Sequence, residues 1–300
     1  METKKEILGM GWIPDLPDYR DYSPNHEKIM PLLADIKMDE PEKRTLPPSH
    51  DLRQWCSEVE HQGHLNSCTA QAGAGLIEYY ENKAFGHYID ASRLFLYKAT
   101  RNLLNWTGDT GAYLRTTMGA MVLFGAPPEK YWPYTDSKQP GPSGKPPFEE
   151  EPPAFHYSFA QSYRSIAYFR LDPPGTPLAT LLHRYKVYLA AGLPFMFGFT
   201  VFISIRQAGS TGKIPFPCPR ENVEGGHAVV AVGYDDGIKT TNSICGKETK
   251  GALLIRNSWG PRWGESGYGW LPYEYVLSGM ARDAWVLFKK EYVNTKQFGF

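Results

Sequence analysis

The 300-residue sequence has no excess of either charge sign, few cysteines and no long hydrophobic run. Lysine plus arginine number 32 and aspartate plus glutamate also number 32, so the formal net charge is zero. This balance gives no electrostatic support for binding to nucleic acid or to an anionic membrane surface. No apolar stretch approaches the roughly 18 residues that a membrane span needs, so we expect no transmembrane segment.

The amino-terminal stretch also lacks the hydrophobic region of a secretory signal peptide. The sequence METKKEILGMGWIPDLPDYRDY has lysines but no sustained apolar run. A cytoplasmic location, export by another route and removal of a leader are all compatible with this pattern. The four cysteines, at positions 56, 68, 218 and 245, are too few to define a disulfide scaffold, so the compartment stays open.

Composition divides the chain into three regions. Residues 1–45 mix charges, prolines and short apolar clusters with little periodicity, which predicts an arm or pro-segment. Residues 46–145 are mainly helical in pattern, and residues 146–295 are mainly strand-like. The helical runs are 67–82, 90–104, 110–125 and, after a loop rich in proline and glycine, 176–192; the strand-like runs are 193–202, 226–236, 251–259, 267–276 and 283–288. This segregation predicts an α+β protein with two lobes.

Cys68 stands where an apolar helical run begins, in HQGHLNSCTAQAGAGL (61–76), with Ser67 as the predicted N-cap. The amide groups at a helix amino terminus lower the pKa of a thiol, and a nearby histidine lowers it further. A buried structural thiol is the default for an isolated cysteine. Whether Cys68 is a nucleophile therefore depends on finding its histidine.

Two distant motifs supply candidate partners for that thiol. EGGHAVVAVGYDD places His227 at the head of a strand, after two glycines that let another backbone approach closely. LIRNSWGPRWGESGYGW places Asn257 after a second strand. An asparagine amide can accept a hydrogen bond from the imidazole and fix its tautomer, and Trp259 could shield that bond from water.

In this order, Gln62, Cys68, His227 and Asn257 resemble the active-site residues of the papain-like cysteine peptidases. The matching segments are QG six residues before the cysteine, GHAVVAVGY, and the long RNSWGPRWGESGYG. Weaker likeness in WCSEVEHQG, TGAYLRTTMGAMVLFG and YWPY extends the resemblance over about residues 48–290. The resemblance implies a papain-like fold with a helical N-terminal lobe, an antiparallel β-barrel-like C-terminal lobe, and the active-site cleft between them.

The resemblance also implies a role for each matching residue. Cys68 would be the nucleophile, His227 the general base and acid, and Asn257 its orienting partner, while the Gln62 side chain and the Cys68 N–H would form the oxyanion hole. Peptide substrates would be hydrolysed through a thioester, without metal or cofactor. The implied substrate-binding residues are Gly111, Tyr113, Gly226, Ala228 and Asp283, the last at the base of an S2 pocket that would accept arginine as well as apolar side chains at P2.

The sequence departs from the family pattern at three places. Leu65 and Thr69 stand where relatives have a disulfide-forming cysteine and an aromatic residue, so the usual disulfide beside the nucleophile is predicted to be absent. The segment 237–250 is predicted to be an extra loop, longer than in typical members. Among the remaining cysteines, at 56, 218 and 245, one disulfide with one free thiol is possible, and so is none.

The resemblance leaves the role of residues 1–45 as a separate hypothesis. They lack the helical pattern of the usual pro-region. One interpretation is an N-terminal extension with no regulatory role. The other is a latent zymogen in which this segment blocks the cleft as an intramolecular inhibitor, with PDYRDY (17–22) supplying aromatic anchors.

Other functions remain to be weighed against an endopeptidase. A zinc site could use Cys56, His61, His64 and Cys68, but their spacings fit no common finger and would leave the downstream motifs unexplained. A catalytically silent binding protein on the same scaffold is disfavoured by the intact Gln–Cys–His–Asn set. An acyltransferase or transglutaminase would use the same dyad, but the NSWG segment points away from it.

Overall fold

Helices and an antiparallel sheet occupy separate parts of the molecule. The computed structural model describes residues 9–38, 43–161, 167–288 and 290–300. The helices are α1 (Met30–Asp35), α2 (Cys68–Phe85), α3 (Arg93–Leu104), α4 (Leu114–Leu123), α5 (Ala154–Ala160), α6 (Leu178–Ala190), α7 (Tyr273–Leu277) and α8 (Lys290–Asn294). The strands are β1 (Ser49–Asp51), β2 (Ala167–Arg170), β3 (Phe195–Phe202), β4 (Val223–Thr241), β5 (Glu248–Arg256), β6 (Tyr268–Pro272) and β7 (Ala281–Phe288). The predicted α+β class is confirmed.

The predicted helical runs correspond to α2, α3, α4 and α6. At the start of α3 the Ser92 hydroxyl accepts a hydrogen bond from the N–H of Phe95, as a cap should. Gly125 follows α4 with φ near +75°, and its N–H donates to the Met121 carbonyl. Ser67 is the N-cap residue of α2, as predicted, but its hydroxyl makes no capping hydrogen bond. That hydroxyl is 2.7 Å from the hydroxyl of Tyr134 instead.

The sheet has seven strands in the order β2-β7-β3-β4-β5-β6, with β1 on β4, and all its pairs are antiparallel. Within the described residues the edge strands β2 and β6 do not pair with each other, so the sheet is open. The predicted antiparallel sheet is confirmed, but it does not close into a barrel. Long apolar β4 pairs with three neighbours and packs against α2, which places the head of β4 beside the start of that helix.

The long segment 237–250 extends the β4–β5 hairpin rather than forming a free loop. Lys239 pairs with Lys250 and Thr241 with Glu248. A disulfide between Cys218 and Cys245 ties the hairpin tip to the chain that enters β4. Cys56 and Cys68 are free thiols. Leu65, at the position of the missing cysteine, is fully buried and fills that corner by packing.

Part of the 1–45 region belongs to the core. Helix α1 was not expected from the sequence, and the residues around it, Ile29, Leu33, Ile36 and Met38, are all buried. Residues 1–8 and 39–42 of this region lie outside the described residues. The domain boundaries at 45 and 145 stay predictions. No helix among the described residues combines the length and the apolar character that a bilayer crossing demands.

Candidate active site

Cys68 is the first residue of α2, and its thiol is completely buried. The sulfur accepts a hydrogen bond from the N–H of Ala228, 3.3 Å away, on β4. Burial raises the pKa of this thiol to about 12, although backbone N–H groups around the sulfur oppose the shift. In this state of the molecule the sulfur is a neutral thiol rather than a thiolate.

His227 lies one residue before Ala228 and is also fully buried. Its Nε2 is 2.7 Å from Oδ1 of Asn257, the residue that follows β5. The N–H of Ser258 also donates to Oδ1, which identifies that atom as the oxygen of the amide. Nε2 therefore carries the proton, and Nδ1 is the basic nitrogen of the neutral imidazole. Nδ1 has no hydrogen-bond partner within the described structure.

Trp259 covers the pair formed by His227 and Asn257. Its ring stacks on the imidazole with centroids 4.6 Å apart and planes 22° from parallel. Burial lowers the pKa of His227 to about 4, and the hydrogen bond to Asn257 only partly opposes this. The histidine is thus neutral at pH 7, like the thiol beside it.

Gln62 is held rigidly opposite the start of α2. Its Oε1 accepts from the Ser258 hydroxyl at 2.5 Å, its backbone N–H donates to the Ser258 carbonyl, and its own carbonyl accepts from the Tyr134 hydroxyl. Its Nε2 donates to the Leu65 carbonyl at 2.8 Å and to the Met10 carbonyl at 3.3 Å. The backbone N–H of Cys68 donates to the same Met10 oxygen at 3.4 Å. Two donors therefore converge on one carbonyl oxygen.

That carbonyl belongs to residues 9–13, which we call the covering segment because it lies over the thiol. The Gly9 carbonyl accepts from the indole N–H of Trp259 at 3.1 Å, and the Gly226 carbonyl accepts from the N–H groups of residues 11 and 12. Ala112 donates to the Gly11 carbonyl at 2.9 Å and accepts from the N–H of Ile13 at 3.2 Å, which forms a parallel bridge at Trp12. The segment is bound by its backbone to both sides of the cleft.

Trp12 fills a pocket beside this backbone. Its indole N–H donates to Oδ2 of Asp283 at 3.0 Å, and a side chain at Gly198 or Gly226 would overlap the Trp12 residue. Asp283 is buried, its other oxygen accepts from the Trp285 indole, and Arg170 lies 3.6 Å away. Burial raises the pKa of Asp283, while Arg170 and the two indole hydrogen bonds oppose the shift.

The sequence-predicted substrate residues are placed as follows. Gly111 touches the covering segment, since a Cβ there would overlap the Gly11 carbonyl, and Gly226 and Asp283 bind it directly. Ala228 contacts Cys68 through its N–H. The half-buried ring of Tyr113 packs on Trp106, with centroids 5.1 Å apart.

The prediction that residues 17–22 place aromatic anchors in the cleft is wrong. The Tyr19 side chain is 97% exposed, and Tyr22 stacks on His26. Sequence reasoning missed Trp12, the aromatic group that does enter the cleft, and Ala112, which binds its backbone. The local signal for Trp12 was its place in GMGWIP, where a bulky ring follows a glycine and stands two positions before a proline.

The four residues considered as a zinc site, Cys56, His61, His64 and Cys68, form hydrogen bonds to four different groups. Cys56 donates its thiol to the Leu52 carbonyl, and the Nδ1 atom of exposed His61 accepts from the N–H of Gly63. Exposed His64 donates its backbone N–H to Asp136. Cys68 is engaged with Ala228, as described above.

Comparison with known proteins places this site in context. Residues 46–286 match the family model described as papain family cysteine protease. The chain is similar to an uncharacterised peptidase C1-like protein of Acanthamoeba polyphaga mimivirus, with 32% identity covering 96% of this chain and 89% of that protein. It is 25% identical to chymopapain of Carica papaya over 80% of this chain and 57% of that protein. The crystal structure of xylellain, a cysteine protease from Xylella fastidiosa, superposes with a TM-score of 0.74 and 33% identity, covering 96% of this chain and 99% of that one.

Proposed function

Because this chain belongs to the papain family of cysteine proteases and is a cysteine-type peptidase, we propose that it is a thiol-dependent endopeptidase made in a latent form. The observation that carries the proposal is the double hydrogen bond to the Met10 carbonyl oxygen. Gln62 Nε2 and the Cys68 N–H meet at this atom, as donors of an oxyanion hole meet at the oxygen of a bond under attack.

In the proposed reaction, Cys68 gives its proton to Nδ1 of His227 and attacks the carbonyl carbon of a peptide. The oxygen takes negative charge, which the Cys68 N–H and the Gln62 amide stabilise. His227 then protonates the leaving amine, and the C–N bond breaks to leave a thioester on Cys68. Water, deprotonated by His227, attacks the thioester, so the acid is released and the thiol restored. Asn257 keeps Nδ1 facing the reaction throughout by holding Nε2.

Latency follows from the electrostatics of the covered site. With residues 9–13 in place, the thiol has a pKa of about 12 and the imidazole a pKa of about 4, so proton transfer from one to the other is strongly unfavourable. The covering segment also occupies both oxyanion donors. Removing it admits water, which favours the ion pair of thiolate and imidazolium and restores the nucleophile.

The pocket that holds Trp12 is the proposed site for the P2 side chain of a substrate. Asp283 lies at its base, and Gly198 forms part of its wall. Arg170, 3.6 Å from Asp283, offsets the carboxylate charge. The pocket therefore favours an aromatic residue with a hydrogen-bond donor over an arginine at P2.

The test compares two full-length variants, Trp12→Ala and Trp12→Ala combined with Cys68→Ala. The first loosens the covering segment without touching the proposed catalytic groups, and the second also removes the nucleophile. We expect the first to hydrolyse a fluorogenic peptide and to bind the epoxide inhibitor E-64 covalently at Cys68, and the second to do neither. Incorporation of amines in place of hydrolysis, or absence of both labelling and hydrolysis in the first variant, would contradict the proposal.

A further inference from the structure

The amino-terminal chain is divided into two parts that bind to different places. Residues 9–13 bind only in the cleft, whereas residues 21–38, which we call the arm, are built into the core. The Tyr22 carbonyl accepts from the N–H of Arg170 on β2 at 2.8 Å. Around α1, Ile29, Leu33, Ile36 and Met38 are at most 3% exposed. The Ile36 carbonyl also accepts from the N–H of Phe300, near the other end of the chain.

Removing the arm would therefore expose core side chains, while removing the covering segment would expose only the cleft. Burial of apolar side chains is the dominant favourable contribution to folding, and the arm buries four of them. An active enzyme that lost all of residues 1–45 would lose this packing. Activation thus requires separation of the covering segment from the arm.

The loop between them, residues 16–20, protrudes into solvent. The Leu16 side chain is 81% exposed and that of Tyr19 is 97% exposed. The side chain of Arg20, 75% exposed, pairs with Asp18 inside the same loop. The N–H of Asp21 donates to the Asp18 carbonyl, and this hydrogen bond closes the turn. Exposed tips of this kind are preferred sites of proteolytic cleavage, because they can adopt the extended form a protease requires without disturbing the core.

Both ends of this loop are fixed by one side chain. Arg115 on α4 forms ion pairs with Asp15, before the loop, and with Asp21, after it, at 2.7 Å for the latter. It also donates to the Leu16 carbonyl. The loop is thus presented from two fixed points, while the side chains of Leu16, Tyr19 and Arg20 stay mostly exposed to solvent.

We infer that residues 16–20 form the processing site of the latent enzyme, with cleavage of the Tyr19–Arg20 bond, and that the arm stays in the mature protein. The inference rests on the proposed inhibitory role of residues 9–13. An endopeptidase that accepts an aromatic residue at P1 makes the cut. Hydrolysis consumes one water, leaves a carboxylate on Tyr19 and creates a new amino terminus at Arg20.

The cut acts by removing a tether. A short linker holds a ligand near its site at an effective concentration in the millimolar range. After the cut, the peptide is no longer tethered, and its concentration at the cleft equals its bulk concentration in solution. At micromolar protein this is far below the millimolar effective concentration of the tethered segment, so the peptide dissociates. Arg20 and the arm remain, still joined to the core through Asp21, Tyr22 and α1.

The experiment treats full-length Cys68→Ala with a trace of chymotrypsin, which cuts after aromatic residues, and stops it with a serine-protease inhibitor. This variant cannot process itself, so the site of cleavage is read independently of catalysis. We expect the first products by intact mass to be 1–19 and 20–300, and gel filtration to leave 20–300 as a folded species without the 1–19 peptide. A first cut anywhere after residue 21, or unfolding of 20–300 once the peptide leaves, would overturn the inference.

The matched control is Tyr19→Ser in the same background. It should remove the early cut while leaving slower cleavage at other exposed aromatic residues, such as the 60% exposed Phe155, unchanged. An early cut that persists would mean that another bond is the processing site and would overturn the inference.

The wild-type chain then separates this inference from the proposed function. Cleavage should raise peptide hydrolysis by at least about 100-fold, in the range that loss of a tether produces. If Cys68→Ala releases 1–19 but cleaved wild type neither hydrolyses peptides nor reacts with E-64, the proposed function fails and the processing site stands. If uncleaved wild type is already fully active, the inference that cleavage at this loop activates the enzyme is wrong.

Discussion

The indole N–H of Trp12 donates to the carboxylate of Asp283 at 3.0 Å, although 271 positions separate the two residues in the chain. Both groups are buried, and Arg170 lies beside the carboxylate. The bond links the covering segment to the proposed substrate pocket, so in the proposed latent form an aromatic side chain in that pocket helps to hold the segment in place.

Truncating Trp12 should therefore weaken latency in steps. Trp12→Phe keeps a ring but loses the hydrogen bond, worth about 1.5–3 kcal/mol for a charged acceptor, so we expect a rise of about 10- to 100-fold in the peptide hydrolysis rate of the uncut chain. Trp12→Ala also loses the buried ring and should give a larger rise. Phe155→Ala, an exposed aromatic on α5 outside the covering segment and the loop, is the control and should leave the rate unchanged. Equal rates for wild type and both Trp12 variants would contradict this role.

Replacing Gln62 by alanine should lower kcat of the activated enzyme by about 10²–10³-fold, the usual effect of losing one oxyanion donor. The substitution removes the amide that reaches the Met10 carbonyl and also the acceptor of the Ser258 hydroxyl. Thermal unfolding should be measured alongside the kinetics, so that loss of transition-state stabilisation is separated from unfolding. Gln54→Ala, at an exposed position, provides the matched control. A change in KM with kcat preserved would argue against the oxyanion role.

The latent chain should lose stability in acid through His227. Its pKa is lowered to about 4 from about 6.5, so the unfolded chain binds the proton more tightly and the folded form is favoured most above pH 6.5. The loss grows as the pH falls from 6.5 to 4 and reaches up to about 3 kcal/mol. Urea unfolding at pH 7 and pH 4.5 should show a smaller loss in His227→Gln than in wild type. An identical loss in both would exclude His227 as the source.

Alanine at Leu33 should destabilise the whole protein by about 2–5 kcal/mol, the usual cost of truncating a buried leucine. Leu33 belongs to the arm and is 3% exposed. Leu16→Ala, outside the core and 81% exposed, should change the free energy of unfolding by no more than about 0.5 kcal/mol. If the two variants unfold at the same urea concentration, the arm is not part of the core.

The disulfide between Cys218 and Cys245 closes a stretch with a sequence separation of 27 residues. Loop-closure entropy for that length corresponds to about 3–4 kcal/mol of stability. The double variant Cys218→Ser, Cys245→Ser should unfold at correspondingly lower urea, while reaction of the activated enzyme with E-64 at Cys68 should continue. Unchanged unfolding would mean that the hairpin tip is held by its other contacts.

The sequence motifs were enough to predict that residues 62, 68, 227 and 257 meet in one site, because each motif combines a chemical group with a recognisable strand or helix boundary. They also predicted the α+β class. The binding of Trp12 could not be predicted, since it depends on a contact between distant segments that leaves no local periodicity. Helix α1 was missed for a related reason: it is only six residues long, and its stability comes from packing rather than from its own pattern.

The open sheet and the extended hairpin were also beyond sequence reasoning. Whether strands β2 and β6 close on each other depends on twist and tilt accumulated over the whole sheet, which the alternation of side chains does not encode. The segment 237–250, which is longer than in typical members, was expected to be a loop. A two-stranded extension with both faces partly in solvent has no apolar stripe to mark it.

Gly198 forms the wall against which the Trp12 ring lies, and no larger residue fits there while the ring is bound. Under the proposed mechanism, the same pocket accepts two occupants in succession, the protein's own tryptophan before cleavage and a substrate side chain afterwards. A substitution that reshapes it for a new substrate also changes how firmly the precursor is held shut. A single substitution in the proposed pocket is therefore expected to change both substrate preference and the ease with which the precursor is activated.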